Sequence, residues 1–411
     1  MTSAPGAAGS GRDGRSLLAT FTGADRPGLT AAVFTALAGH GTQVLDVAQL
    51  VVRGHVTLAL LASAGRDETA AAAALQAAAR DLGLALELSV APGDGERTGA
   101  AGSRVHVTLL GSPLLPEAVA AVAGAVAGSG ANIDAVRRLS GQPVTALELD
   151  VSGADPGPLR AELAAAAAEL GVDVAVSPAG RARHGRRLVV LDVDSTLIQD
   201  EVIELLAAHA GRAAEVAEVT ERAMRGELDF AASLHERVAR LAGLDAAVLD
   251  QVRGAVRLTP GAGTLCDVLR RLGFTLALVS GGFAEVVEPL AASLGITHVR
   301  ANRLEVSGGR LTGRVLGPVV DRAAKAAALR EFAAAEGLPL SRTVAVGDGA
   351  NDLDMLAAAG LGIAFNAKPV VREQADTALT SPYLDSVLYL LGISREEVEE
   401  ADRAGGGPAR A

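Results

Sequence analysis

Two aspartates one residue apart close the apolar run "LVVLDVDSTLIQ": Asp192 and Asp194, followed at once by Ser195 and Thr196. A β-rich run of this kind reads as a strand buried on both faces, and in sheets of such strands ligands gather beyond the carboxyl ends. Two carboxylates at that place repel one another unless something compensates. If the chain stays extended they lie on one side and face one pocket; if it turns, a main-chain carbonyl faces the pocket instead. Either way a hard cation such as Mg²⁺ relieves the repulsion and leaves a carboxylate free to attack phosphorus. A solvated turn after a strand would also place two aspartates there, so the pair alone decides nothing.

Three further segments, each at a predicted strand end or on the helix beside one, bear on the choice. "FTLALVSGGF" brings Ser280 and the backbone of Gly281 and Gly282 to a loop that can present N–H groups and a hydroxyl to phosphate oxygens. In "DRAAKAAALREF" the spacing puts Lys325 on the same helical face as Leu329 and Phe332, so the lysine points inward, near a helix N-terminus where a cation is disfavoured without an anionic partner. In "TVAVGDGANDLDMLAAAG" a strand runs into Asp348, then a tight glycine turn, then a helix carrying Asn351 and Asp352. An acidic cap at one helix start means little. Four such segments in this order are hard to assign to chance.

The elements that must hold these residues follow from periodicity. From Ser16 to Ala91 the pattern is strand, helix, strand, strand, helix, strand; after "APGDGERTGAAGS" the same order begins again at Arg104 and runs to about Pro178. A repeat of this size signals two copies of one small α+β module. After the basic joint "AGRARHGRR" strands and helices alternate as in a parallel α/β sheet. The expected layout is a mobile end at 1–15, modules at 16–92 and 103–178, an α/β domain at 186–395 and a mobile tail at 402–411. The 411 residues, 49% hydrophobic and 21% charged, suit such a multidomain globular chain. A net charge of −11 argues against nucleic-acid partners and a polybasic membrane surface. A single cysteine, no apolar leader and no long apolar span lead us to expect a soluble, cytoplasmic protein.

With these residues in place the chain resembles the haloacid dehalogenase-like phosphatases over about residues 186–392. The four motifs of that family correspond to Asp192 to Thr196, Ser280 to Gly282, Lys325, and Gly347 to Asp352. The resemblance implies a Rossmann-like α/β core with a helical cap, here at about 200–258, and narrows to the members that act on O-phosphoserine because the cap supplies Glu201, Met224, Phe230 and Arg237. It implies Asp192 as the nucleophile that becomes an aspartyl phosphate and Asp194 as the proton donor and acceptor. Ser280, Gly281 and Lys325 would contact phosphate, and Asn351 the substrate or its phosphate. Asp192, Asp348 and the main-chain carbonyl of Asp194 would hold Mg²⁺, and Asp352 would orient Lys325 or a metal-bound water. The activity implied is Mg²⁺-dependent hydrolysis of O-phosphoserine, the last step of serine biosynthesis.

The substrate's chemistry supports two of the cap residues independently. An α-ammonium calls for a carboxylate such as Glu201, and an α-carboxylate for a planar guanidinium such as Arg237. Arg237 also interrupts the apolar stripe Phe230, Leu234, Leu241, though a pairing with Glu236 would explain it as well. The repeated modules resemble ACT domains, which implies ferredoxin-like βαββαβ units and a homodimer formed through them that either binds an amino acid, with serine, the expected product, as the natural effector, or serves assembly alone. The turn "TGADRPGLTAAV" places Asp25, Pro27 and Gly28 for such a ligand, whereas the second copy reads "LGSPLLPEAV" and lacks that sequence. A phosphatase or phosphotransferase for another small ester, or an amino-acid sensor without catalysis, are the competing readings.

Overall fold

The computed structural model describes residues 15–63, 65, 67–92, 104–179, 187–224 and 227–404, the side chains of 91–92, 224 and 401–404 excepted. Most of the two expected mobile ends, the joint at 180–186 and the Met224 side chain lie outside the described residues. The chain divides into two compact units, residues 1–98 and 99–411.

In the first unit the order is β1 (Arg15–Ala24), helix Leu29–Leu37, β2 (Val44–Val52), β3 (His55–Ser63), helix Glu68–Leu82 and β4 (Ala85–Pro92). The strands form an antiparallel sheet in the order β2-β3-β1-β4. Alternate residues Leu17, Ala19 and Phe21 of β1 and Val56, Leu58 and Leu60 of β3 share a core with Val33 and Leu75 of the two helices, as the two-residue period of a half-buried strand requires. Asp67 caps the second helix by accepting from the Ala70 N–H, and Gly83 ends it in the left-handed region at φ 68°.

The second unit opens with the repeat: β5 (Arg104–Gly111), helix Pro116–Gly128, β6 (Asn132–Ser140), β7 (Thr145–Ser152), helix Pro156–Leu170 and β8 (Asp173–Pro178), paired as β6-β7-β5-β8. Its helices cover one face of the sheet. Leu110, Leu139, Val144, Ala146 and Ala175 belong instead to the hydrophobic cluster of the α/β domain that follows. Polar contacts fix the same junction. The Asp173 carboxylate accepts from the Thr380 N–H at 2.9 Å and from the Thr380 hydroxyl at 3.0 Å, and Arg160 pairs with Asp376 at 2.5 Å.

That domain is built on a seven-stranded sheet of β9 (Leu188–Leu191), β10 (Thr275–Phe283), β11 (His298–Ser307), β12 (Arg310–Leu316), β13 (Thr343–Gly347), β14 (Leu361–Phe365) and β15 (Thr377–Leu379). Their order is β12-β11-β10-β9-β13-β14-β15. The expected strict alternation of strand and helix fails in one place. β11 and β12 form an antiparallel hairpin, because Gly308 and Gly309 both take positive φ, 57° and 76°, the backbone of a two-residue hairpin turn. The insertion after β9 contains the helices Val202–His209, Ala213–Met224, Phe230–Ala239 and Val248–Ala255. Its two ends are tied to each other: Ile198 bridges to Leu258, and Asp200 pairs with Arg257 at 2.7 Å. No described helix is long and apolar enough to cross a membrane.

Removing the buried Asp173 carboxylate leaves the Thr380 N–H without its acceptor, while the hydroxyl of the exposed Thr380 can turn to water. Asp173→Ala is expected to lower stability by about 1–3 kcal/mol, read as a shifted denaturant midpoint at unchanged slope; an unchanged midpoint would show that this junction contributes nothing.

Candidate active site

The carboxyl end of β9 is where the sheet's connections diverge. Its neighbours are β10 on one side and β13 on the other, both parallel, with Leu191 opposite Leu278 and Val346. Such a switch point leaves a crevice that no crossover fills. The pleat decides what enters it from below. Val189 and Leu191 point into one hydrophobic cluster, Leu188 and Val190 into the other, so the parity of the strand turns residue 192 toward the second. That second side is covered by helix Arg322–Ala335, whose Leu329 and Phe332 pack there beside Lys325.

Asp192 and Lys325 therefore meet. The Lys325 Nζ donates to Asp192 Oδ1 and to Asp352 Oδ1, both at 2.7 Å, and the lysine is 0% exposed. Held in this way, the ammonium has no path to solvent. Burial by itself would lower the Lys325 pKa, but the attraction of Asp192 and then Asp352 outweighs it and holds the ammonium charged. Asp192 is pushed well above the usual carboxylate range, first by burial and then by Asp352, against the pull of Lys325. Asp348 is pushed up to about 6, again by burial first and Asp352 second.

Asp192, Asp348 and Asp352 bring carboxylate oxygens within 4.8 Å of one another. One ammonium for three carboxylates leaves an excess of negative charge that a hard divalent cation fits. Asp352 is the least available of the three, because Lys325 holds one of its oxygens and the Gly349 N–H donates to the other at 3.0 Å. The Asp194 carboxylate is not in this group. A second acidic cluster, His106, Glu148 and Asp150 on β5 and β7, already has Arg137 on Glu148 at 2.8 Å and on Asp150 at 3.1 Å, and so has less need of a metal.

After Asp192 the chain turns sharply through Val193–Leu197, with Ser195 held at φ 56°, a costly conformation for a residue with a Cβ. Both alternatives for the aspartate pair are thus partly realised: the chain turns, yet Asp192 and Asp194 line the same cleft. The Asp194 carboxylate accepts from the Val202 N–H at 2.8 Å and from the Ser280 hydroxyl at 3.1 Å. Burial raises its pKa against these two hydrogen bonds. β10 runs on through the Ser280 motif instead of ending before it, with a shift of register between Val279 and Phe283. Asn351 and Asp352 sit on a short 3₁₀ turn, Ala350–Asp352, ahead of the helix expected to carry them.

The cleft has a volume of about 660 Å³. Gly281, Asp348 and Asn351 line it from the core, Glu201, Phe230 and Arg237 from the cap. Glu201 accepts from the Ser195 hydroxyl at 2.7 Å, and burial, with Asp194 next, pushes it up to about 7. Burial lowers Arg237, while the fields of Glu201, Asp194 and Glu204 oppose that. The pairing of Arg237 with Glu236 does not occur: Glu236 pairs with Arg222 at 2.8 Å and lies within 3.6 Å of Arg240. Asp25, Pro27 and Gly28 belong to the first unit, where they are exposed at the start of helix Leu29–Leu37; Gly28 caps it at φ 88°.

Three contributors escaped the sequence. Thr196 donates to Asp348 Oδ1 at 3.0 Å, and its place in the first motif was a visible signal. Asn302 is buried on β11, donating to the Gly281 carbonyl and accepting from the Val320 N–H, both at 2.8 Å; a lone Asn in a strand gives little warning of that. Lys368 lines the cleft from the loop after β14, with no sequence pattern to mark it.

A buried lysine, a set of carboxylates at the carboxyl ends of β9 and β13, and a helical cap over a switch point define a haloacid dehalogenase-like hydrolase, and the profile of that family matches residues 189–357. ACT-domain profiles match residues 15–89 and 103–177. The phosphoserine phosphatase of Streptomyces coelicolor is 57% identical over 96% of this chain and 97% of its own. That of Mycobacterium tuberculosis is 53% identical over 94% of this chain and 95% of its own. Among solved structures, a probable phosphoserine phosphatase from Vibrio cholerae matches with a TM-score of 0.56 at 35% identity, covering 72% of this chain and 88% of that one. The chain belongs to the phosphoserine phosphatase family of haloacid dehalogenase-like enzymes, in a form with two N-terminal ACT domains.

Gly282 has no room for a side chain: a Cβ there would lie 2.6 Å from Asp194 Oδ2 and 3.0 Å from Ser280 Oγ. Gly282→Ala is expected to displace Asp194 and lower kcat by about 100-fold while far-UV circular dichroism stays unchanged; an unaltered kcat would remove the constraint.

Proposed function

We propose that the protein hydrolyses O-phosphoserine to serine and phosphate through an aspartyl phosphate on Asp192, with Mg²⁺ as its metal. The observation that carries this reading is the sharing of one cleft by two sets of groups. Asp192 and Asp348, with the divalent ion they would hold and the nearby Lys325, suit a phosphoryl group, and Glu201 and Arg237 on the cap suit an α-ammonium and an α-carboxylate. The family's substrate, as the names of the relatives give it, carries all three groups.

Asp192 and Asp348 would hold the metal, with the main-chain carbonyl of Asp194 by family resemblance. When bound, the ion offsets the carboxylate excess and draws charge from the phosphoryl oxygens. An Asp192 carboxylate oxygen attacks phosphorus, and the bond from phosphorus to the serine oxygen breaks. That oxygen takes the proton of Asp194, whose burial favours the protonated acid and whose two accepted hydrogen bonds fix its orientation. Asp194, now ionised, removes a proton from water as the water attacks phosphorus, and the phosphorus–Asp192 bond breaks to restore the carboxylate. Lys325 keeps Asp192 oriented throughout, with Asp352 fixing the lysine. Ser280 holds Asp194 through its hydroxyl and lies next to the backbone of Gly281, so it assists the acid as well as the phosphate. Asn351 contacts substrate from the core side. Phe230 closes the cap over the serine moiety and excludes water.

The test is release of phosphate from O-phosphoserine that requires added Mg²⁺. Asp192→Asn should abolish it with the fold retained. Asp194→Asn should slow single-turnover phosphorylation by O-phosphoserine far more than by p-nitrophenyl phosphate, whose leaving group needs no proton. Full turnover by Asp192→Asn sinks the covalent route, and equal losses on both esters remove Asp194 as the acid.

A cytoplasmic location and a homodimer formed through the ACT domains complete the reading. β2 supports the dimer: it is an edge strand, and Val44, Leu45, Val47, Leu50, Val51 and Val52 are all exposed on it, an arrangement that monomers avoid. Serine, bound at the turn of Asp25, Pro27 and Gly28, would regulate activity by preferring one arrangement of the chain over another. Leu50→Asp is expected to convert a dimer to a monomer in sedimentation, and titration calorimetry of the whole chain with serine should give a heat that Gly28→Val removes; no such difference would leave the modules as assembly elements.

A further inference from the structure

We propose that Lys368 captures the substrate's phosphate at the mouth of the cleft, a role that rests on phosphomonoester hydrolysis at this site and deepens it. Five of the groups lining the cleft are carboxylates, those of Asp192, Asp194, Glu201, Glu204 and Asp348, in a chain of net charge −11. An anionic ester arrives against that field. Lys325 is fully buried and engaged by Asp192 and Asp352, so it offers nothing at the entrance.

Among the described residues, three cations line the cleft: Arg237, Arg322 and Lys368. Arg237 is on the cap, in the field of Glu201 and Asp194. Arg322 pairs with Asp354 at 2.6 Å. Lys368 is exposed and forms no ion pair with any described residue. With no carboxylate partner among the described residues, the Lys368 ammonium is available to a mobile anion.

Its position is fixed by the chain. β13 and β14 are parallel neighbours with Gly347 opposite Ala364, so the loop bearing Asp348 and Asn351 and the loop bearing Lys368 leave the sheet side by side. That is the end of the sheet that carries Asp192 and Asp348, whereas Glu201 and Arg237 reach the same cleft from the cap. The loop is not slack. Asn366 takes φ 45°, unusual for a residue with a Cβ, and donates to the Ser381 carbonyl at 3.3 Å. Ala367 is buried in the second cluster, and Pro369 confines Lys368 to extended backbone, φ −62° and ψ 154°. The fixed backbone delivers a compact point charge on a flexible stem to the rim, a device for attraction and not for the geometry of bond breaking.

Such a group acts on any phosphate ester and on the approach more than on the chemical step. Lys368→Met, compared with wild type in the whole protein, is expected to lower kcat/KM for O-phosphoserine roughly three- to tenfold at low ionic strength, with kcat within about twofold. The deficit should shrink as salt screens the charge, and Lys368→Arg should restore most of it. The same factor is expected with p-nitrophenyl phosphate, which lacks the amino-acid head group; Arg237→Ala should instead lose mainly on O-phosphoserine. A loss confined to O-phosphoserine, a loss in kcat alone, a deficit independent of salt, or no deficit overturns the proposal. The p-nitrophenyl phosphate arm decides Lys368 by itself, so a wild type inactive on O-phosphoserine would refute the substrate reading separately.

Discussion

A fully buried ammonium persists only where its charge is compensated within hydrogen-bonding distance, because neither water nor bulk ions reach it. Lys325 meets that condition through two 2.7 Å contacts, and much of the site's order follows from them. They join three separate parts of the chain: the end of β9 through Asp192, helix Arg322–Ala335 through the lysine, and the turn after β13 through Asp352. Asp352 in turn holds the Gly349 N–H and so shapes the loop that presents Asp348 and Asn351. Without the lysine, Asp192 and Asp352 would face one another unscreened, and the strand end, the helix and the turn would lose their common anchor. With it, an excess of carboxylate remains that suits a divalent ion.

A second layer of constraint sits around Asp194. Its carboxylate bonds both to the first turn of the cap, through the Val202 N–H, and to Ser280 on β10. The proposed proton donor is thus a mechanical link between the cap and the core. Ser195, strained at φ 56°, turns its hydroxyl to Glu201. The first motif therefore organises the cap's recognition groups as well as the chemistry, and this explains why two aspartates stand where a strand meets a turn. Leu191 is the last fully buried apolar residue of β9, and the chain beyond it must serve two domains at once.

Much of this was legible in the sequence because it depends on short periodicities. The βαββαβ repeat, the buried β9 and the inward lysine all follow from spacing of apolar residues, and the four motifs each lie at a strand end or on an adjacent helix. What was not legible depends on approach between distant segments. Asn302 supports Gly281 from twenty-one residues away, and nothing local to either announces the contact. Asn351 and Asp352 fall on a 3₁₀ turn ahead of helix Leu353–Ala358, with the Asp352 side chain reaching back to the Gly349 N–H. The hairpin of β11 and β12 was carried by Gly308 and Gly309, a signal present in the letters but overridden by the expectation of regular alternation.

The two ACT modules share one element order and differ in what their sheets touch. In the second, one sheet face is part of the hydrophobic cluster of the α/β domain, so its opening exposes that domain's interior as well. In the first, β1 and β3 close on a cluster of their own. Local unfolding follows such boundaries, since residues that share a core open together. Amide protons of β5 and β8 should therefore exchange with solvent on the timescale of the catalytic sheet, as one cooperative unit, while those of β1 and β3 follow a clock of their own.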